Sequence, residues 1–349
     1  MVRVGLIGCG GIAPAHLKVY KGLNDVELVA LCDLDKGRLN NLASQFGVKN
    51  LYQNYWDMFK AQNLDLVDIC TPVSTHRKIV CDSAEVVPSI LVEKPMALTL
   101  SDCDAMIEKV RKQGSKLCIG HNQLFAPNVL KAKSMVASGD FKVSSFKTTQ
   151  KESFELLLKH DLAPQWNVEP AQRGIIWEVC AHLAYLQLYF LPDVKEIYAV
   201  GGKVKYQVYD DFAVLLRTDD HRFGMIELSW IDRETEIVWE LSDPTGRRLQ
   251  LIRDYDFMLD ASRPPPFTVP EVAKNMLVEE KRLMQKWARY ANSYFRKRKV
   301  LPTFNLITRY LEAIKKDLPP PVTPEEGRNT INLLESIEMS LNEKKPVRL

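Results

Sequence analysis

Three groups of residues carry chemically useful side chains or backbone at useful spacings. The first, Gly8-Cys9-Gly10-Gly11-Ile12-Ala13, directly follows the apolar run Val4-Gly5-Leu6-Ile7 and reads as a G-x-G-x-x-A turn from strand into helix. Gly8 permits the tight turn, Gly10 lets the backbone approach a pyrophosphate, and Ala13 allows helix and strand to touch. The amides at the helix start then offer a phosphate site. A glycine turn alone also fits an ordinary strand-to-helix connection. Asp33, at the end of the second apolar run, supplies an independent part: a carboxylate there accepts hydrogen bonds from an adenosine ribose. It also repels a 2′-phosphate, which favours NAD over NADP, although Arg38 one helical turn on keeps NADP open.

The second group is Val92-Glu93-Lys94-Pro95 together with Cys70-Thr71-Pro72-Val73-Ser74-Thr75-His76. Both stretches follow predicted strands, and open α/β sheets bind ligands at the carboxyl ends of their strands. The third is Glu178 and His182, within the apolar stretch Ile175 to Leu191. Residues four apart share a helix face, so both side chains can point into one pocket. A carboxylate and an imidazole on an apolar helix are costly unless paired or used. A mutually satisfied structural pair is the alternative. His182 has the stronger claim to general base, because an unperturbed imidazole titrates near operating pH, with Glu178 orienting it.

Such groups need a scaffold. Short β-branched runs at Val2-Ile7, Val26-Cys32, Val67-Cys70, Ile90-Val92 and Leu117-Ile119 alternate with amphipathic segments, which predicts a doubly wound parallel sheet covered on both faces. After Gly120 the pattern changes to a helix over 127–138 and strands near 143–150, 194–204, 212–217, 223–230, 236–241 and 248–252. Turns such as Thr218-Asp219-Asp220 suggest a mostly antiparallel sheet. The expected fold class is therefore α/β plus α+β. Residues 1–122 are expected to form a dinucleotide-binding domain and 123–349 a substrate-binding and oligomerisation domain, with the last helices open to packing back on the first. Thr323-Pro324-Glu325-Glu326 caps one of those helices.

At 349 residues the chain exceeds the usual single-core size. Its 46% apolar and 26% charged residues suit a globular protein. A net charge of +3 with both signs interspersed gives no general attraction to nucleic acid or membrane, so small-molecule partners are expected. Cys9, Cys32, Cys70, Cys81, Cys103, Cys118 and Cys180 are odd in number and contain no C-x-x-C, as in a reducing compartment. With no secretion leader and no span of adequate length, a cytoplasmic location is expected.

The glycine turn, the Thr71-to-His76 stretch, Glu93-Lys94-Pro95 and Gly120-His121-Asn122, in that order, resemble the Gfo/Idh/MocA family of glucose-fructose oxidoreductase and inositol dehydrogenase. The resemblance covers nearly the whole chain. It places Lys94 beside the nicotinamide and the reacting hydroxyl, where an ammonium stabilises a developing alkoxide. It gives Thr71, Pro72 and His76 cofactor or pocket-lining roles and sets Asn122 near the nicotinamide. It also matches Glu178 and His182 to a catalytic helix pair. The implied reaction is hydride transfer between nicotinamide and a secondary alcohol of a sugar, cyclitol or sugar derivative, with a dimer or tetramer assembled through the second sheet. Glu178 replaces a usual aspartate, Cys180 a usual glycine and Leu124 a usual arginine, which alters the pocket. These departures keep two alternatives open: an enzyme whose bound NAD cycles internally, as in hydrolases or epimerases, and a non-catalytic NAD-binding sensor. Trp166 and Arg173, in the polar loop before the helix, are substrate candidates or ordinary loop residues.

A long basic stretch from Glu271 to Lys299 includes Lys281, Arg282, Lys286, Arg289 and Arg296-Lys297-Arg298-Lys299. A solvated helix face with a basic end is the plainer expectation, an anion site the sharper one. Met284, Trp287, Tyr290, Tyr294 and Phe295 form a helical stripe in the same segment, as core or subunit contact would.

Overall fold

The computed structural model describes residues 1–160, 163, 165–170, 173–251, 258–260, 269–270, 277, 280–281, 284, 288 and 302–349, the side chains of 165, 166 and 258–260 excepted. Two compact units result: Met1–Phe125 with Ile176–Leu186 and Pro302–Ser336, and Ala126–Ile175 with Gln187–Leu301 and Ile337–Leu349.

The first unit holds six parallel strands: β1 (Val2–Ile7), β2 (Val26–Cys32), β3 (Asn50–Tyr52), β4 (Leu66–Ile69), β5 (Ser89–Val92) and β6 (Lys116–Ile119). Their order is β3-β2-β1-β4-β5-β6, the doubly wound arrangement in which the chain reverses direction beside β1 and leaves a ligand crevice there. β4 and β5 are buried along their whole length, which is why, Asp68 and Ser89 apart, their sequences run apolar instead of alternating. Between the strands lie α1 (Ala13–Lys21), α2 (Lys36–Phe46), α3 (Tyr55–Ala61), α4 (His76–Ser83) and α5 (Leu100–Gln113). Local signals set their ends. Asp35 accepts the amides of Gly37 and Arg38 to start α2, and Gly47 closes it at φ 67°, as capping requires. Leu6, Ala13, Leu17, Leu31, Leu39, Leu42 and Phe46 pack β1 and β2 against α1 and α2.

A later helix, α10 (Pro302–Lys315) in the order used below, buries Leu306, Ile307, Tyr310 and Leu311 in the first unit. The Tyr310 hydroxyl accepts the Ile90 amide at 3.2 Å and donates to the Lys116 carbonyl at 2.9 Å, tying this helix to β5 and β6. The predicted cap is present: the Thr323 hydroxyl accepts the Glu326 amide, and Glu326 accepts the Thr323 amide at 2.7 Å. It opens α11 (Pro324–Glu343).

The second unit carries β7 (Ser145–Ser153), β8 (Val194–Gly202), β9 (Asp211–Thr218), β10 (Phe223–Ser229), β11 (Ile231–Ser242), β12 (Arg248–Leu251), β13 (Met258–Asp260) and β14 (Val347–Arg348). Their order is β13-β12-β11-β7-β10-β9-β8-β14. Every neighbouring pair is antiparallel except β7 and β10. That parallel pair makes the sheet mixed, and it needs the long crossover that residues 154–222 supply. The helix α6 (Pro127–Ala137) precedes the sheet, and α7 (Phe154–Lys159) follows β7. The stretch 175–191 is two helices, not the single one predicted: α8 (Gly174–Glu178) and α9 (Cys180–Phe190), joined at Val179, whose carbonyl accepts the His182 amide in a tighter i−3 bond at 3.0 Å.

Most of the basic segment 271–299, including Arg282, Trp287, Tyr290, Tyr294, Phe295 and the run 296–299, lies outside the described residues. Within it, Lys281 and Met284 are helical and exposed. Among the described residues no helix is long and apolar enough to cross a membrane. All seven thiols are free.

Candidate active site

The glycine turn closes on itself by backbone contacts that only glycine tolerates at its first position. Gly8 has φ +97°, and a Cβ there would lie 2.5 Å from the Cys70 carbonyl oxygen. At Gly10 and Gly11 an added Cβ would meet nothing within 4 Å, so the turn faces open space of the kind a pyrophosphate occupies. Ile12 starts α1 without a side-chain cap, and the first turn has no acidic residue, which leaves the helix start to an anion. Asp33 sits against the same turn: its Oδ2 accepts the Cys9 amide at 2.5 Å and its Oδ1 the Asp35 amide at 2.8 Å. The exposed Arg38 guanidinium stands 3.6 Å from Asp35. This cradle and its acidic wall fit a dinucleotide.

Lys94 emerges from the carboxyl end of β5 with only a tenth of its side chain exposed. Its Nζ donates to Oε1 of Glu178 at 2.9 Å and to the Glu178 carbonyl at 3.0 Å. Both residues belong to the first unit. Four positions on, His182 places Nδ1 2.7 Å from the Tyr185 hydroxyl. That oxygen also accepts the Gln123 amide at 3.0 Å and lies 3.4 Å from Oδ1 of Asn122; Asn122 in turn donates to Thr303 at 3.2 Å. All these contacts are satisfied when Tyr185 donates to Asn122 and His182 donates from Nδ1, the tautomer that puts the proton-accepting lone pair on Nε2. His121 stacks on Tyr185 with ring centres 4.2 Å apart. Burial drives the His121 pKa down to about 3, so it is neutral beside the site.

The structure thus brings Lys94 to Glu178, and His182 to Asn122 through Tyr185. Tyr185 was not among the sequence-derived candidates. Its signal was present: a hydroxyl three positions after His182 shares that residue's helix face. Pro72 is exposed, and Thr71 accepts the Thr75 hydroxyl at 2.8 Å. His76 is 1% exposed, with Nε2 2.9 Å from the Thr71 carbonyl and Nδ1 3.0 Å from the Pro95 carbonyl. It therefore ties the loop after β4 to the loop after β5. Arg173 and Trp166 belong to the second unit. Arg173, at φ 59°, gives its guanidinium to Glu338. Trp166 lies in the short helical turn Gln165–Val168, its side chain outside the described residues. Leu124 and Cys180 are buried, and burial pushes the Cys180 thiol pKa up, which keeps it protonated and inert.

A doubly wound sheet with a glycine cradle walled by Asp33, and Lys94 at the end of β5 held by Glu178 from α8, is the architecture of an NAD-binding oxidoreductase. The sequence agrees with that class. Residues 2–121 match the family model described as the oxidoreductase family with an NAD-binding Rossmann fold, and residues 129–249 match the GFO/IDH/MocA C-terminal domain. The chain belongs to the GFO/IDH/MocA family. It is 25% identical to the myo-inositol 2-dehydrogenase of Thermotoga maritima, over 100% of this chain and 98% of that protein. It is 26% identical to the D-apiose dehydrogenase of Paraburkholderia graminis, over 72% of this chain and 67% of that one. The fold matches a solved oxidoreductase from Agrobacterium radiobacter, in complex with NAD+, L-tartaric acid and magnesium, with a TM-score of 0.79 at 20% identity over 99% of this chain and 98% of that one.

Proposed function

We propose that this oxidoreductase transfers a hydride between NAD and a secondary alcohol or ketone of a sugar, cyclitol or sugar derivative. The observation that carries the reading is the Lys94 ammonium held by Glu178 at 2.9 Å at the strand ends that follow the glycine cradle. Relatives named as inositol and apiose dehydrogenases supply the substrate class.

The bound dinucleotide supplies the hydride acceptor or donor at its nicotinamide. Gly8, Gly10, Gly11 and Ile12 cradle its phosphates, Asp33 takes the ribose hydroxyls and disfavours a 2′-phosphate, and Thr71, Pro72, His76, Glu93 and Asn122 complete its surroundings. Lys94 holds the substrate hydroxyl and stabilises negative charge as it develops on that oxygen. His182, with Nδ1 committed to Tyr185, accepts the hydroxyl proton at Nε2. Glu178 orients Lys94. Reduction runs the same steps backwards. Trp166 and Arg173 contribute to substrate recognition, within a substrate domain that starts near residue 123.

The working state is a homo-oligomer in the cytoplasm. Exposed Tyr198 and Val200 on β8, Leu215 on β9 paired with Tyr198, and exposed Phe223 on β10 give one sheet face an apolar stripe that a second copy would cover.

Purified protein incubated with NAD+ and a panel of sugars and cyclitols, followed by NADH absorbance, tests the reading. NADH formation on at least one polyol is expected. Substrate turnover without NADH would point instead to internally cycling NAD, and NAD binding with no turnover to a sensor.

A further inference from the structure

Beneath the glycine turn lies a set of ionisable groups to which, Glu93 apart, the proposed chemistry gives no part. His16 on α1, Asp68 on β4, Glu93 after β5, Tyr20 on α1 and Cys70 are buried together, His16 and Asp68 at 1% exposure or less and Glu93 at 7%. His16 Nδ1 lies 2.7 Å from Oδ2 of Asp68, and Nε2 lies 3.1 Å from Oε1 of Glu93. Tyr20 donates to the same Asp68 oxygen at 2.8 Å. The other Glu93 oxygen accepts the amide of Lys94 at 3.1 Å. On the far side the Gly120 backbone confines Glu93, since a Cβ there would lie 3.1 Å from Oε1.

A neutral imidazole has one N–H and one lone pair. Set between two carboxylates, it would turn that lone pair towards one of them, so the ring that fits donates from both nitrogens. Two carboxylates withdrawn from water also require a cation between them. Burial, the largest single influence, works to lower the His16 pKa, but the charges and hydrogen bonds of Asp68 and Cys70 together outweigh it and hold the pKa well above 6.5. His16, Asp68 and Cys70 offer ligand atoms within 4.8 Å of one another, as a metal site would. Burial, with Asp68 next, pushes the Cys70 thiol to about 12, so a hydrogen-bonded cluster describes them better than a thiolate site.

We propose that His16 is a positioning residue: an imidazolium that clamps Glu93 to the phosphate-binding helix and thereby fixes, one peptide link away, where Lys94 presents its ammonium. The inference rests on the catalytic reading of Lys94. It adds that the cofactor cradle on α1 and Lys94 share one charged frame.

Three measurements on the full chain test it. Nitrogen NMR of ¹⁵N-histidine protein, with the His16 ring assigned through its proximity to Tyr20, should show both ring nitrogens protonated at pH 8; one bare nitrogen, or stoichiometric metal in the purified protein, overturns the proposal. The rate at which an amine-directed reagent labels Lys94, read by peptide mass spectrometry, should change about threefold or more in His16→Gln; an unchanged rate overturns it. In turnover, His16→Gln should lower kcat about tenfold or more while the Kd for NAD stays within about twofold. A loss confined to NAD binding, or an unchanged kcat, contradicts positioning. Asp68→Asn, which removes the carboxylate that pairs with His16 Nδ1 at 2.7 Å, serves the same comparisons should His16→Gln fail to fold. The nitrogen NMR and the labelling need no substrate, so they succeed or fail separately from the polyol reading.

Discussion

The ε-ammonium of Lys94 lies 2.9 Å from the carboxylate of Glu178, 84 positions further along the chain. Glu178 is two-fifths exposed, so the pair adds little to stability. In the proposed reaction its use is to aim the ammonium. Glu178→Gln, which keeps a hydrogen-bond acceptor but removes the charge, is expected to lower kcat about tenfold or more and leave NAD affinity unchanged. Steady-state kinetics beside a fluorescence titration with NADH checks both.

The Tyr185 hydroxyl lies 2.7 Å from Nδ1 of His182, and in the proposed reaction it holds the ring in the tautomer with its lone pair on Nε2. Tyr185→Phe keeps the stacking on His121 and deletes the hydroxyl. We expect a fall in kcat of about tenfold or more and a displaced acid limb in the pH profile of kcat/KM. A profile of unchanged shape would show that Tyr185 only packs.

In the proposed reading cofactor choice follows from Asp33, whose carboxylate accepts the Cys9 amide of the glycine turn. Asp33→Ser removes the repulsion of a 2′-phosphate while keeping a hydroxyl for the ribose. The ratio of kcat/KM for NADP+ over NAD+ should rise about tenfold or more, measured with one substrate at both cofactors.

The dinucleotide half was legible because its signals are local. A glycine triad, an acidic residue at the next strand end and continuous apolar strands each depend on a few neighbouring residues, and the sheet order follows from handed crossovers. The lysine-to-glutamate contact was less legible. Glu178 and His182 share a helix face in sequence, which suggested a pair, yet the helix breaks at Val179 and Glu178 turns to Lys94 while His182 turns to Tyr185. The parallel pairing of β7 and β10 was equally hidden, since pairing between strands about 70 residues apart leaves no mark in either strand's own pattern. His16 went unremarked because a lone histidine on a helix does not disclose the two carboxylates that the fold brings to its ring.

His121 makes stability depend on pH in a direction that can be worked out. Its folded pKa, about 3, lies below the ordinary 6.5, so between these values the unfolded chain binds the extra proton. The stabilisation from a neutral His121 is present above about pH 6.5 and is lost as pH falls towards 3, at up to about 1.4 kcal/mol per pH unit. His121→Phe, which retains a ring against Tyr185, should flatten that loss. Urea unfolding of both proteins at pH 7, 6, 5 and 4 measures it; parallel curves would contradict the assignment.

NAD-dependent hydride transfer assisted by Lys94 is best tested by comparing wild-type protein with Lys94→Ala, in NADH formation on the best polyol of the panel and in NADH binding by fluorescence. The variant is expected to bind NADH with a Kd within about threefold of wild type while kcat/KM falls about 1,000-fold or more. Turnover that survives the substitution to within about tenfold would contradict it.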